Sequence, residues 1–231
     1  MKTIKGIWRF SRVICYTFVC LFQAYTRFKR VDRKEKGRML RYYPTQVLKL
    51  AGVRCSYEGN VPELLHECGL TDTPPAYMVL SNHISWLDIF SLDSQLPSRF
   101  IAKAEIAKWP VFGLIAQQIG TLFINRSSKR AILRINDDIR GALCNCEAVT
   151  IFAEGTTTFG NELLPIKANF IAPACEIGAT VQPVILSYKN KGKPTKRAAF
   201  AGDVTLFGSL WNVVTMEDAE VVVHFLSLIH I

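Results

Sequence analysis

From residue 77 onward, short apolar runs rich in Val and Ile alternate with stretches of helical periodicity: YMVLS (77–81), RFIAK (99–103), TLFIN (121–125), VTIFA (149–153), TVQPVIL (180–186) and AEVVVHFL (219–226). Runs of this length, bounded by polar segments, read as strands. Between the third and fourth, Ile132, Ile135, Ile139 and Leu143 recur at spacings of 3, 4 and 4, which marks an amphipathic helix. Such alternation predicts a single α/β domain, with a mixed, largely parallel central sheet covered by helices. Most of the runs are apolar throughout, as a sheet buried on both faces requires. In open sheets of this kind ligands sit beyond the carboxyl ends of the strands. Three polar clusters follow apolar runs in that way: NHISWLD (82–88), NRSSKR (125–130) and EGTTTFG (154–160).

The chain of 231 residues is 49% hydrophobic, enough to bury one sizeable core. Its net charge of +9 is unevenly spread. Residues 1–41 hold twelve Lys and Arg against Asp32 and Glu35, a net +10; the other 190 residues, with sixteen basic and seventeen acidic side chains, carry −1. The basic residues flank the apolar decapeptide VICYTFVCLF (Val13 to Phe22), which a nucleic-acid-binding arm has no reason to carry. Anionic lipid headgroups are the better partner. The fourteen residues between Arg12 and Arg27 reach about 21 Å as helix against a hydrocarbon core of about 30 Å, too short to span comfortably. Lys5, Arg9, Arg12 and Tyr16 recur at helical spacing beside Ile7, Trp8, Phe10 and Ile14, which fits an interfacial helix. A tilted span and a cleaved signal peptide are the rival readings. QAYTRFKR offers no small-x-small cleavage site, and basic residues after an apolar run oppose export. We therefore expect a membrane-anchoring arm over residues 1–43, retained on the cytoplasmic face of a membrane, and a domain over residues 44–231 that begins at a Pro44 break.

Several chemistries lose their footing. The seven cysteines show no ligand spacing or disulfide framework and read as reduced thiols. His66, His83, His224 and His230 form no metal-binding pair, so no metal is expected. Without a glycine-rich phosphate loop, no flavin, nicotinamide or nucleotide cofactor is expected either. The ending FLSLIHI follows an expected strand abruptly and reads as an incomplete or altered terminus.

His83 and Asp88 lie five positions apart, about 140° around a continuous helix, where they would not meet. They meet if the strand ends at Ser81, His83 lies in the turn, and Asp88 lies in the first helical turn. Ser85 with Asp88 three residues on is a capping-box signature that favours a helix start there. Asp88 then accepts from one imidazole nitrogen and leaves the other free to take a proton from a substrate hydroxyl. The plainer alternative is that Asp88 only caps the helix and His83 only satisfies a strand end. No G-x-S-x-G nucleophile element is present. A His-Asp pair without such a serine suits direct attack by a substrate alcohol on an activated acyl group.

In combination these blocks resemble the glycerolipid acyltransferases, the family of 1-acylglycerol-3-phosphate acyltransferases. NHISWLD is similar to the family's N-H-x4-D motif, KAEIAKWPVFGLIAQQIGTLFINR (103–126) to its second block, FAEGTTTFGNELLPIK (152–167) to its third, and VQPVIL (181–186) to its fourth. The resemblance covers about residues 45–225. It implies that His83 deprotonates a lysophospholipid hydroxyl while Asp88 holds the ring, and that the acceptor then takes the acyl chain from acyl carrier protein or a CoA thioester, without a cofactor. It implies that Arg126 binds the acceptor phosphate and that Glu154, Gly155 and Thr156 form an acceptor-binding element. Lys167 either completes the phosphate pocket or snorkels at the surface. WPVFGLIAQQIG (109–120) either lines an acyl tunnel or touches lipid, or is buried under the sheet. Where many members have Arg after E-G-T this chain has Thr157, as do bacterial relatives similar to lyso-ornithine-lipid acyltransferases. The acceptor is therefore expected to be lysophosphatidic acid, with lyso-ornithine lipid as the alternative; a non-catalytic membrane-binding protein that kept the fold is the remaining alternative, against which His83 and Asp88 argue.

Overall fold

The first of the apolar runs, Tyr77–Ser81, is the strand on which the rest of the fold is hung. The computed structural model describes residues 2–59, 76–125 and 129–227. Two helices, α1 (Lys2–Gln23) and α2 (Arg33–Ala51), joined through a π-helical turn at Ala24–Phe28, lead into β1 (Val53–Glu58) and β2 (Tyr77–Ser81). Then come α3 (Leu87–Asp93), β3 (Arg99–Lys103), α4 (Phe112–Gln118), β4 (Leu122–Ile124), α5 (Lys129–Cys144) and β5 (Val149–Phe152). The chain closes with α6 (Ala172–Glu176), β6 (Thr180–Asn190), β7 (Lys193–Pro194), α7 (Leu206–Val214) and β8 (Ala219–Phe225).

The described strands form one sheet in the order β1-β8-β6-β2-β5-β3-β4, with β7 on β6. Pairing is parallel except where β8 and the short β7 run antiparallel to β6. The expected mixed, largely parallel sheet is what forms. Alternation of side chains along β2 feeds both faces. Tyr77 and Val79 join a core with Leu48, Leu87 and Leu210 from α2, α3 and α7. Met78 joins a second core with Ile135, Ile139 and Leu143 from the predicted amphipathic helix, now α5.

The N-terminal helices differ from expectation in two ways. First, α2 runs on through Pro44 rather than breaking there. Its start is fixed by Asp32, whose Oδ1 accepts from the Glu35 amide at 2.7 Å, and the proline ring is buried on the inner side. The lost amide costs one bond, and the helix keeps its course because its inner face is held in the core. Second, the polar stripe of α1 is divided. Arg9 turns inward and donates from Nη1 to the carbonyls of Val214 (3.2 Å) and Met216 (3.0 Å), capping the end of α7. Tyr16 packs its ring near Tyr43, while Lys5 and Arg12 stay exposed. Among the described residues no helix is long and apolar enough to cross a membrane.

Candidate active site

The turn after β2 is built from its own polar side chains. Asn82 extends the ladder past the end of the strand: its Nδ2 donates to the Leu186 carbonyl at 3.0 Å and its Oδ1 accepts from the Leu186 amide at 2.7 Å. This anchors the next residue, His83, at the carboxyl end of the sheet. Asp88, in the first turn of α3, is fully buried and accepts four hydrogen bonds. Its Oδ2 takes the amides of Ile84 (2.7 Å) and Ser85 (2.9 Å) and His83 Nδ1 (2.8 Å). Its Oδ1 takes the Tyr188 hydroxyl at 2.5 Å. Four donors offset the desolvation of a buried carboxylate. The two readings of this aspartate are thus both realised, since one oxygen caps the turn and holds the ring.

With Nδ1 facing the carboxylate, the neutral ring carries its proton there and leaves Nε2 as acceptor. The ring lies flat on Phe152 at the end of β5, with centroids 3.9 Å apart and planes 9° apart. Its backbone is hung from neighbouring loops. The His83 amide donates to Glu154 Oε1 at 2.9 Å, and its carbonyl accepts from the Thr158 amide at 2.8 Å. Gly160 passes close by with φ +74°, and a Cβ there would lie 2.7 Å from Ile84 Cδ1.

A cavity of about 370 Å3 opens beside His83 and Phe152, within the range of small-molecule sites. Its walls are mostly apolar and come from α1, α2, α3 and the 100–121 stretch. Trp109, Phe112, Ile115 and Ile119 line it, so the WPVFGLIAQQIG segment forms a cavity wall.

Of the expected site residues, the structure brings His83, Asp88, Gly155 and Thr156 together. Gly155, at φ +75°, turns the chain sharply after β5, and with Thr156 it lines the cavity. Glu154 holds a different place from the acceptor contact expected of it. It is buried, its Oε1 accepts from the His83 amide and its Oε2 from the Leu164 amide at 2.9 Å, and it ties the turn after β2 to the 154–164 loop. Lys167 is exposed and does not line the cavity. Arg126 lies outside the described residues, as do Cys68, His66 and His230. Thr157, standing where many family members have a cation, donates its hydroxyl to the Phe200 carbonyl. Tyr188 went unread in the sequence, and Phe152 was read only within its strand and the third block. The signal for Tyr188 lay in a strand that runs four residues past the apolar stretch, to Asn190. No group of three or more His, Cys, Asp or Glu that could hold a metal is present among the described residues.

Comparison with known proteins gives concordant matches. The family model described as Acyltransferase matches residues 55–187, more than half of the chain. The chain is 43% identical over 156 residues to a 1-acyl-sn-glycerol-3-phosphate acyltransferase of Neisseria gonorrhoeae, covering 67% of this chain and 61% of the relative. It is 39% identical over 148 residues to a lyso-ornithine lipid O-acyltransferase of Pseudomonas aeruginosa, covering 64% and 57%. The chain thus spans about three-fifths of the length of the curated relatives it matches. Among solved structures, the 1-acyl-sn-glycerophosphate (LPA) acyltransferase PlsC of Thermotoga maritima shares the fold, with a TM-score of 0.67 at 17% identity over 99% of this chain and 87% of that one.

Proposed function

From the premise that the chain belongs to the acyltransferase family, we propose that it transfers an acyl chain from a carrier thioester to the free hydroxyl of a lysolipid. The hydroxyl proton passes to His83 Nε2 as the oxygen attacks the thioester carbonyl. Asp88 holds the ring and stabilises the imidazolium that forms. The tetrahedral intermediate collapses by breaking the C–S bond, and the departing thiolate takes the proton back from the ring. The observation that carries this reading is the ring locked at Nδ1 by a buried carboxylate, with the ring at the edge of a mostly apolar cavity. Acyl carrier protein or CoA is the proposed donor carrier, with no cofactor. The proposed acceptor is 1-acyl-sn-glycerol-3-phosphate, giving phosphatidic acid, with Arg126 as its phosphate ligand. The similarity to lyso-ornithine lipid O-acyltransferases and Thr157 favour lyso-ornithine lipid as the second reading.

In this reading residues 1–43 anchor the protein at the cytoplasmic face of a membrane and residues 44–231 form the acyltransferase domain. Purified protein incubated with labelled acyl-carrier protein or acyl-CoA and a panel of lysolipids should label one acceptor preferentially. His83→Ala should lower the rate by about 10²-fold or more while vesicle binding stays intact. A variant that keeps most of the native rate removes the proposed base.

A further inference from the structure

The helix α7, LFGSLWNVV, is apolar on both of its sides. Ser209, Leu210, Val213 and Val214 are buried in the core. Phe207 and Trp211, one helical turn apart on the opposite side, are 62% and 37% exposed. Two large aromatic rings exposed on the outer side of a helix already packed on the core make an apolar surface suited to a second partner. The outer side of α1 has the same character: Ile4, Ile7, Trp8, Phe18 and Phe22 are exposed at helical spacing. Phe10 joins the two helices, with its ring 6.4 Å from Phe207 and 6.1 Å from Trp211. The exposed rings therefore form one continuous face across the arm and the catalytic domain.

Cations border this face on both sides. The Arg12 guanidinium lies 4.0 Å from the Trp8 ring centroid, and Lys5 is exposed one helical repeat earlier. Beyond α7, Arg197 donates to the Thr215 hydroxyl at 3.0 Å and remains exposed. Aromatic side chains bordered by Lys and Arg suit the headgroup region of an anionic bilayer. The neighbour of Phe207, Leu206, lines the large cavity, and a small void bounded by Ile14, Trp86, Phe90 and Phe207 lies between α1 and α7.

We propose that the outer face of α7, through Phe207 and Trp211, inserts into an anionic lipid surface together with α1, so that the catalytic domain itself contacts the bilayer beside its cavity. This deepens the proposed membrane anchoring by α1 and rests on it. Lipid substrate then reaches the cavity past Leu206 without crossing water.

The test uses the full chain with vesicles of phosphatidylcholine and phosphatidylglycerol. Phe207→Glu with Trp211→Glu should weaken vesicle partitioning by about tenfold or more. It should slow acylation of a long-chain lysolipid embedded in vesicles to match, and leave the rate on a short-chain, monomeric lysolipid unchanged. Phe207→Glu alone, at the more exposed position, should give the same pattern more weakly if the double variant fails to fold. Leu133→Glu on α5, 65% exposed, is the control and should not change partitioning. Vesicle binding by the double variant equal to that of the unmodified chain, while Phe18→Glu on α1 reduces it, overturns this proposal and spares the anchor. An unmodified chain that does not bind vesicles overturns both. Unchanged partitioning with a raised KM for acyl carrier protein would assign the face to the carrier instead.

Discussion

The hydroxyl of Tyr188 offers the sharpest test of how the His83–Asp88 pair is held. It donates at 2.5 Å to Asp88 Oδ1 from the far end of β6, and its ring is buried. Tyr188→Phe removes one oxygen and leaves Oδ1 without that donor, while Oδ2 keeps Ile84, Ser85 and His83. Losing a hydrogen bond to a buried charge costs about 1.5–3 kcal/mol. For a chain of this length that is a fall in Tm of about 3–12 °C. With one oxygen released, Asp88 can rotate about its side-chain bonds and carry the ring with it, so kcat should fall about tenfold, worth about 1.4 kcal/mol of transition-state positioning. KM for donor and acceptor should not move. Burial first, and then the charge of Asp88, raise the phenol well above its usual value of 10.0. A folded-state value above the unfolded one means that the contribution is complete below pH 10.0 and lost as pH rises beyond it. The Tm difference between native and variant should therefore hold through neutral pH and shrink only in strong base. Thermal melts and steady-state kinetics on the two proteins measure both effects. A variant with native Tm and native kcat would mean that the tyrosine merely fills space, and the account of the carboxylate as held by four donors would fail.

Glu154→Gln should lower kcat and leave KM for the lysolipid unchanged, because the amide turns a donor toward either the His83 or the Leu164 amide; a raised KM with native kcat would return Glu154 to the role of acceptor contact. Asp93 is buried on the cavity side of α3, with the Ser98 amide on its Oδ1 at 3.1 Å. Burial raises this carboxyl well above its usual 3.8 against the smaller opposing effect of that bond. A raised folded value makes the group tolerable below pH 3.8 and costly as pH climbs. Asp93→Asn, which keeps an oxygen for Ser98, should therefore raise Tm at neutral pH and lose that gain below pH 3.8. An equal Tm at neutral pH would count against it.

What the sequence disclosed follows the range of each interaction. The runs at 77–81 and 99–103 coincide with β2 and β3; β2, buried on both faces, leaves a nearly unbroken apolar signature. Pro44 reads locally as a break, yet α2 passes through it because packing outweighs one missing amide. Within this turn, His83, Ser85 and Asp88 are close along the chain, and their spacing allowed the pairing that forms beside the plainer reading of Asp88 as a cap alone. The groups that hold this turn from outside are remote: Glu154 is 71 positions from His83 and Tyr188 is 100 from Asp88. For Glu154, local chemistry suggested a substrate contact, because an acidic residue before a glycine at a strand exit looks the same whether it faces ligand or backbone. Only the sheet order decides between these. It brings the ends of β5 and β6 to either side of β2, so the carboxylate beyond β5 meets an amide and the hydroxyl on β6 meets a carboxylate. The proposed base is thus legible from a seven-residue motif, whereas the rigidity with which it is held is a property of three strands at once.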